Sequence, residues 1–410
     1  MKSICFCFQL HIPLILRNYR FFEIGQHHEY FDDDELAAYL KQKTKNVLVP
    51  FIEMLQLLHL ETNGKFKAGI SISGTTLQHL QKSSPEVIQL LKELLQNNCI
   101  EFLSEPWSHS LLPFTSDKLL KQETRRHDKL IQELFGTRPK VLFAYVPYGL
   151  LPLLNSSELN KRNGTITYTN SLFNKKKDIN NITPHLPDDR RIFFIDAKIS
   201  QKFGKIDFNP NFHTLAVYTS GIAERINRNA LSYSPSIIVF NPGQKARPFN
   251  LNHVLVWKTE IQKLLHDYQF EYLYPSQVIE HYNHPVSNAN CSEKFLNRYR
   301  STDFWLHSKL QREVFSKQKA IHAMLQKAIY SPLHSKWENI QDMDHLLFIS
   351  DNYFKESFAA NYFTPYSSPY MAYINYMNVL EDIYSSLKKE LHQPIFQTKI
   401  HKKKRYVTAD

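Results

Sequence analysis

The chain has 410 residues, 42% of them hydrophobic and 22% charged, proportions that support a packed core and exclude general disorder. Ten glycines stand against 28 phenylalanines and 22 tyrosines, and neither GxGxxG nor a GxxxxGK phosphate loop occurs, so nucleotide binding has no motif to rest on. The formal charge of +11 is spread in short groups such as Lys175 to Lys177 and His401 to Arg405, the pattern of a solvated surface, and nucleic acid is not the expected partner.

The first run, ICFCFQL, leads into His11 and Pro13. Lys2 and the apolar stretch to Leu16 imitate a secretory signal. Gln9, His11 and Pro13 interrupt it, however, and RNYRFF stands where a small-residue cleavage site belongs, so the run is read as the first strand. Cys5 and Cys7 alternate on one face of it. With Cys99 and Cys291 they are too few and scattered for a disulfide framework, which points to a reducing, cytoplasmic setting. His27 and His28 near the acidic run Asp32 to Asp34 read as a solvated loop in preference to a metal site.

Leu36, Leu40, Val47, Phe51, Leu55 and Leu58 have helical spacing over 34–61, with Pro50 dividing the segment. FKAGISISG then reads as a strand closing on Ser73, and 85–97 as a helix opened by Pro85. IEFLSE is the next strand, ending on Glu105 with Trp107 and His109 directly after. A helix over 117–136 starts at Ser116 and stops at Gly136, and the run PKVLFAYV closes at Val146. Alternation of strand and helix is the grammar of a parallel sheet with crossover helices.

From 155 to 190 the pattern dissolves into Asn, Lys, Ser and Pro and reads as a loop-rich excursion. IFFIDA, TLAVYTS and SIIVFN resume the strands, the last ending on Asn241, and VLVWKTEIQKLLHDY and EYLYPSQVIEHY follow. After 285 the spacing turns helical, and HKKKRYVTAD reads as a mobile tail. No apolar run is long enough to span a membrane. Domain boundaries are expected at 1–285 for a barrel, 286–395 for a helical region and 396–410 for the basic tail.

Polar residues closing successive parallel strands outline one active-site mouth. Taken together, FCFQLHIPLILRNYRFFEIG, CIEFLSEPWSHS, LFGTRPKVLFAYVPY, SIIVFNPG, WENIQDMDHLLFIS and YFTPYSSPYMAYINYMNVLED resemble the ordered motifs of glycoside hydrolase family 57, especially its α-amylase-like members. The resemblance implies an α/β fold, an incomplete (β/α)7 TIM-like barrel followed by a C-terminal helical region. It also implies an α-glucan or related oligosaccharide as ligand, with no metal and no cofactor. Family members use a nucleophilic glutamate and an acid/base aspartate about 5 to 5.5 Å apart. The matching positions here carry Val146 and Asn241, and no Asp or Glu occurs from Lys140 to Asn155 or from Asn227 to Thr259.

Valine cannot attack an anomeric carbon, and asparagine cannot protonate a leaving oxygen. The expected substrate-binding residues are His11, Glu105, Trp107, His109, Asn241 and Asp344, which supply the carboxylates, imidazoles and aromatic ring that suit a sugar. The leading expectation is a catalytically disabled saccharide binder. Two alternatives stay open: an α-glucan hydrolase or glucanotransferase with relocated carboxylates, such as Glu105 with Asp344, and a protein-interaction role without sugar binding. Glu101 and Glu105 cannot form the pair, since four strand residues separate them by roughly 13 Å.

Overall fold

In a computed structural model the described residues are 2–147, 164–168, 192–196, 199–200, 221–228, 230, 235–242, 248–282, 305–351 and 364–392. The chain divides into two compact units. The first comprises Met1–Ile12, Ala37–Thr302 and Ala360–Phe363, and the second comprises Pro13–Leu36, Asp303–Ala359 and Thr364–Asp410. Residues 13–36 therefore leave the expected 1–285 barrel domain for the helical unit.

The first unit is built around β1 (Ser3–Gln9), every residue of which is buried. It pairs in parallel with β2 (Ala68–Ser71) on one side and β7 (Ser236–Phe240) on the other. β3 (Ile100–Phe102) extends the ladder beyond β2, and β4 (Val141–Pro147), β5 (Gly164–Tyr168) and β6 (Ile192–Ile195) form a second parallel ladder.

Two narrow seams close these ladders into a ring. Ser104 bridges to β4, donating its N–H to the Val141 carbonyl (2.9 Å) and accepting from Phe143 N (2.7 Å), and Asp196 N donates to the Ile237 carbonyl (2.8 Å). The strands thus neighbour one another in chain order, and the fold is an incomplete seven-stranded (β/α) TIM-like barrel. A two-residue β8 (Glu271–Tyr272) pairs with the start of β1.

β1 holds the barrel to its helices. Phe6 and Phe8 both lie 5.6 Å from the Trp257 ring on α6 (Leu251–His266), and Phe8 packs edge-on to Phe51 of α2 (Val49–Glu61) at 5.0 Å. Each buried phenylalanine contributes about 2 kcal/mol by leaving water. Cys5 and Cys7, on the opposite face, are buried free thiols 3.9 Å apart, and Cys99 is buried and free as well.

Pro50 divides the first helical stretch as expected, with a definite mechanism. α1 (Asp33–Lys43) passes through a π-helical turn (Thr44–Leu48) into α2. Proline at 50 has no N–H to give the Asn46 carbonyl, which accepts from Phe249 N (2.7 Å) instead. α3 (Gly74–Ser83), α4 (Pro85–Gln96) and α5 (Asp117–Phe135) follow. Gly136 ends α5 in the left-handed conformation at φ 71°, and α7 (Pro275–His281) follows β8.

The sequence reading of 155–190 as loop is corrected by β5. Gly164–Tyr168 is a short Thr/Ile run whose flanks are rich in loop-forming residues, so its period of two is too brief to stand out. Strand β3 ends at Phe102, earlier than the expected Glu105. TLAVYTS, the 155–163 and 169–190 parts of the Asn/Lys-rich region, Cys291 and the 396–410 tail lie outside the described residues.

The second unit contains α8 (Lys309–Leu325), α9 (Leu333–Ile340), α10 (Asp344–Phe348) and the 24-residue α11 (Pro369–His392). Residues 17–30 are laced along α11: Tyr19 N donates to Asn375 Oδ1 (2.7 Å), Asn378 Nδ2 to the Tyr19 carbonyl (3.0 Å) and Gly25 N to Asp382 Oδ1 (2.6 Å). These bonds account for the assignment of 13–36 to this unit.

Candidate saccharide site

The polar residues singled out in the first unit gather where β1, β2, β3, β4 and β7 end. Ser73 caps α3 directly after β2, accepting from Thr76 N, and its hydroxyl also holds His11 Nδ1 at 2.8 Å. The His11 ring stacks on His109, with centroids 3.7 Å apart and planes 21° apart. Tyr145 of β4 flanks His109 at 4.1 Å and donates its hydroxyl to the Ser110 carbonyl (3.0 Å). His109 itself sits at φ 49°, a left-handed conformation uncommon for a residue with a side chain.

Glu105 is fully buried. Its Oε2 is 3.5 Å from His109 Nδ1, and neither carboxylate oxygen has a hydrogen-bond partner among the described residues. Gln9 Nε2 and Ser71 Oγ, at the ends of β1 and β2, are likewise buried without partners. Native proteins rarely leave such groups unsatisfied, so these atoms have hydrogen-bonding capacity open to water or another polar partner.

Asn241 follows β7 and donates to Gln9 Oε1 at 3.4 Å. Val146 is buried beside the point where the β4–β5 register slips, between Ala144 and Pro147, and its carbonyl accepts from Thr167 Oγ1 (2.7 Å). Bulges of this kind re-aim side chains. Here it is Tyr145 that meets His109. Composition alone gave no sign of Tyr145, Gln9 or Ser71, although polar strand ends and two-residue alternation were the signals that could have found them.

Trp107 does not offer the stacking face expected from the sequence. It is 5% exposed, one side lies against Gly74, and the Arg126 guanidinium sits over the ring 3.7 Å from its centroid. Asp344 begins α10 in the second unit, its N–H donating to Asp342 Oδ1 (2.9 Å).

The rejected pair and the rejected metal site both have structural explanations. Glu101 accepts from Ser276 N and Oγ at the start of α7 (2.6 Å each), and burial raises its carboxyl above the usual range. His28 Nδ1 donates to Asp382 (2.7 Å), His27 pairs with Glu23 (3.2 Å), and Asp32 Oδ1 accepts from Asp34 N and Glu35 N. Asp196, at the end of β6, accepts from Ile199 N through Oδ1 (3.0 Å).

A parallel barrel of seven strands with polar groups at the strand ends places the chain in the incomplete (β/α)7 TIM-like class. Residues 5–145 match the model of glycosyl hydrolase family 57. A putative alpha-amylase of Methanocaldococcus jannaschii is 23% identical over 448 residues, covering 96% of this chain and 86% of that protein. The α-amylase AmyC from Thermotoga maritima superposes with a TM-score of 0.55 at 10% identity, covering 97% of this chain and 95% of that one. A 4-alpha-glucanotransferase from Thermococcus litoralis gives 0.53 at 12% identity, and this chain, 93% covered, spans 57% of that longer one. The chain is thus similar to glycosyl hydrolase family 57 in sequence over residues 5–145 and in fold over nearly its whole length.

Proposed function

We propose that this chain is a family 57 member that binds an α-glucan or related oligosaccharide without hydrolysing it by the family's two-carboxylate route. The observation that carries the reading is the pairing of two features at one end of the barrel. Buried polar atoms of Gln9, Ser71 and Glu105 without hydrogen-bond partners among the described residues lie near the ends of β1–β3, while Val146 and Asn241 stand at the ends of β4 and β7. A saccharide supplies hydroxyl donors and acceptors that match the first feature. Retaining hydrolysis needs two carboxyl groups about 5 to 5.5 Å apart, which the second feature does not provide. The curated relative's description as a putative alpha-amylase supports the ligand class. No helix among the described residues is long and apolar enough to cross a membrane.

Calorimetric titration of the full chain with maltoheptaose tests both halves. Saturable heat that ends with binding is the expected result, with His11→Ala and Glu105→Gln each weakening affinity about tenfold or more, the loss that goes with one buried hydrogen bond to a charged or polar group. Sustained heat with release of new reducing ends would restore enzyme status and place the acid and nucleophile elsewhere. A flat trace would remove the α-glucan from consideration.

A further inference from the structure

We infer that Arg126 and Gly74 are positioning residues for the saccharide site, acting through Trp107 as a wedge that holds His109 in place. The inference rests on the saccharide-binding reading above. Its starting point is the backbone of His109: a side-chain-bearing residue at φ 49° is strained and persists only where its surroundings over-determine it.

The loop from Glu105 to Ser110 is gripped on both sides of His109, at Trp107, Ser108 and Ser110. The Trp107 carbonyl accepts from Thr75 N (3.2 Å), Ser108 gives both its N–H (2.9 Å) and its hydroxyl (2.8 Å) to Glu123 Oε2, and the Ser110 carbonyl accepts from Tyr145. The side chain of Trp107 completes the grip. A Cβ built on Gly74 would fall 2.3 Å from its Cε3 and 2.4 Å from its Cδ2, so only glycine lets the indole seat against the start of α3. From α5, the otherwise exposed Arg126 lays its guanidinium on the ring at 3.7 Å, a cation–π contact that holds the indole down. Glu123 and Arg126 lie one helical turn apart, so a single face of α5 fixes two successive residues of the loop.

Trp107 therefore shapes recognition without stacking on the sugar, and the two roles predict opposite outcomes when Arg126 is shortened. If the indole is the wedge, Arg126→Ala loosens the loop and weakens maltoheptaose binding about two- to fivefold, and Gly74→Ala, which pushes the ring away, weakens it as well. If the indole is a sugar platform, uncovering its face leaves affinity unchanged or improves it, which overturns the inference. The second readout needs no sugar: in the free protein, the His109 ring resonances should shift in Arg126→Ala and stay in place in Lys129→Ala, a change at a side chain 78% exposed. Unmoved His109 signals in Arg126→Ala also overturn the inference. Should wild type fail to bind maltoheptaose, the saccharide reading falls, and the His109 resonances still decide whether Arg126 positions that imidazole.

Discussion

Glu260 sits on the buried side of α6, where its carboxylate accepts from Ala223 N (2.6 Å) at the start of helical residues 221–228. Burial pushes its carboxyl up to about 7, with the Ala223 hydrogen bond and Lys263 opposing the rise. A group that binds its proton more tightly when folded stabilises fully below its unfolded value, about 4.5, and loses that contribution as pH climbs through about 7. The unfolding free energy of wild type relative to Glu260→Gln should therefore fall by up to ~3 kcal/mol between about pH 4.5 and pH 7.5. Urea denaturation of both proteins across that window measures the difference, and parallel curves would refute it. Burial thus gives individual carboxylates quite different duties: Glu101 caps α7, Glu260 caps 221–228 through one oxygen, and Glu105 alone of the three has both oxygens without hydrogen-bond partners among the described residues.

Among the elements, α11 shows how a helix can organise a segment distant in sequence. The buried Asp382 accepts from Gly25 N (2.6 Å), His28 Nδ1 (2.7 Å) and Tyr30 Oη (2.5 Å), and burial, followed by the carboxylate, raises the Tyr30 phenol above its ordinary range. Asp382→Ala would leave three donors without their acceptor and should cost at least ~3 kcal/mol, whereas Asn378→Ala, which removes one hydrogen bond to the Tyr19 carbonyl, should cost about 1 kcal/mol. Hydrogen exchange of residues 17–30 on α11 reads the consequence: protection should drop there in Asp382→Ala. Equal losses in the two variants would count against this account. Helices were the most legible elements in the sequence, because Pro85, Gly136 and regular apolar spacing mark their ends and faces. Strand β5 was the least legible, since five residues carry too little pattern to outweigh their neighbours.

At the scale of the molecule, a ligand that binds only the folded barrel must stabilise it. Maltoheptaose at a hundredfold over its dissociation constant should raise the unfolding free energy of the first unit by about 2.7 kcal/mol, visible as a concentration-dependent thermal midpoint, and at the same sugar concentration a tenfold weaker Glu105→Gln should keep only about 1.4 kcal/mol of that gain. A midpoint that ignores the sugar would separate the family resemblance from sugar recognition. The ordered series of strand-end motifs was readable across nearly the whole chain, and so was the lack of carboxylates at Val146 and Asn241, because residue identity and spacing are properties of the chain itself. Folding alone decided that the Trp107 ring is covered by Gly74 and Arg126, that Tyr145 meets His109, that Glu101 is spent on Ser276, and that 13–36 joins α11. The reason is physical: a sequence specifies which groups are available and at what local period, whereas which faces are covered and which lone pairs are filled depends on partners tens to hundreds of residues away.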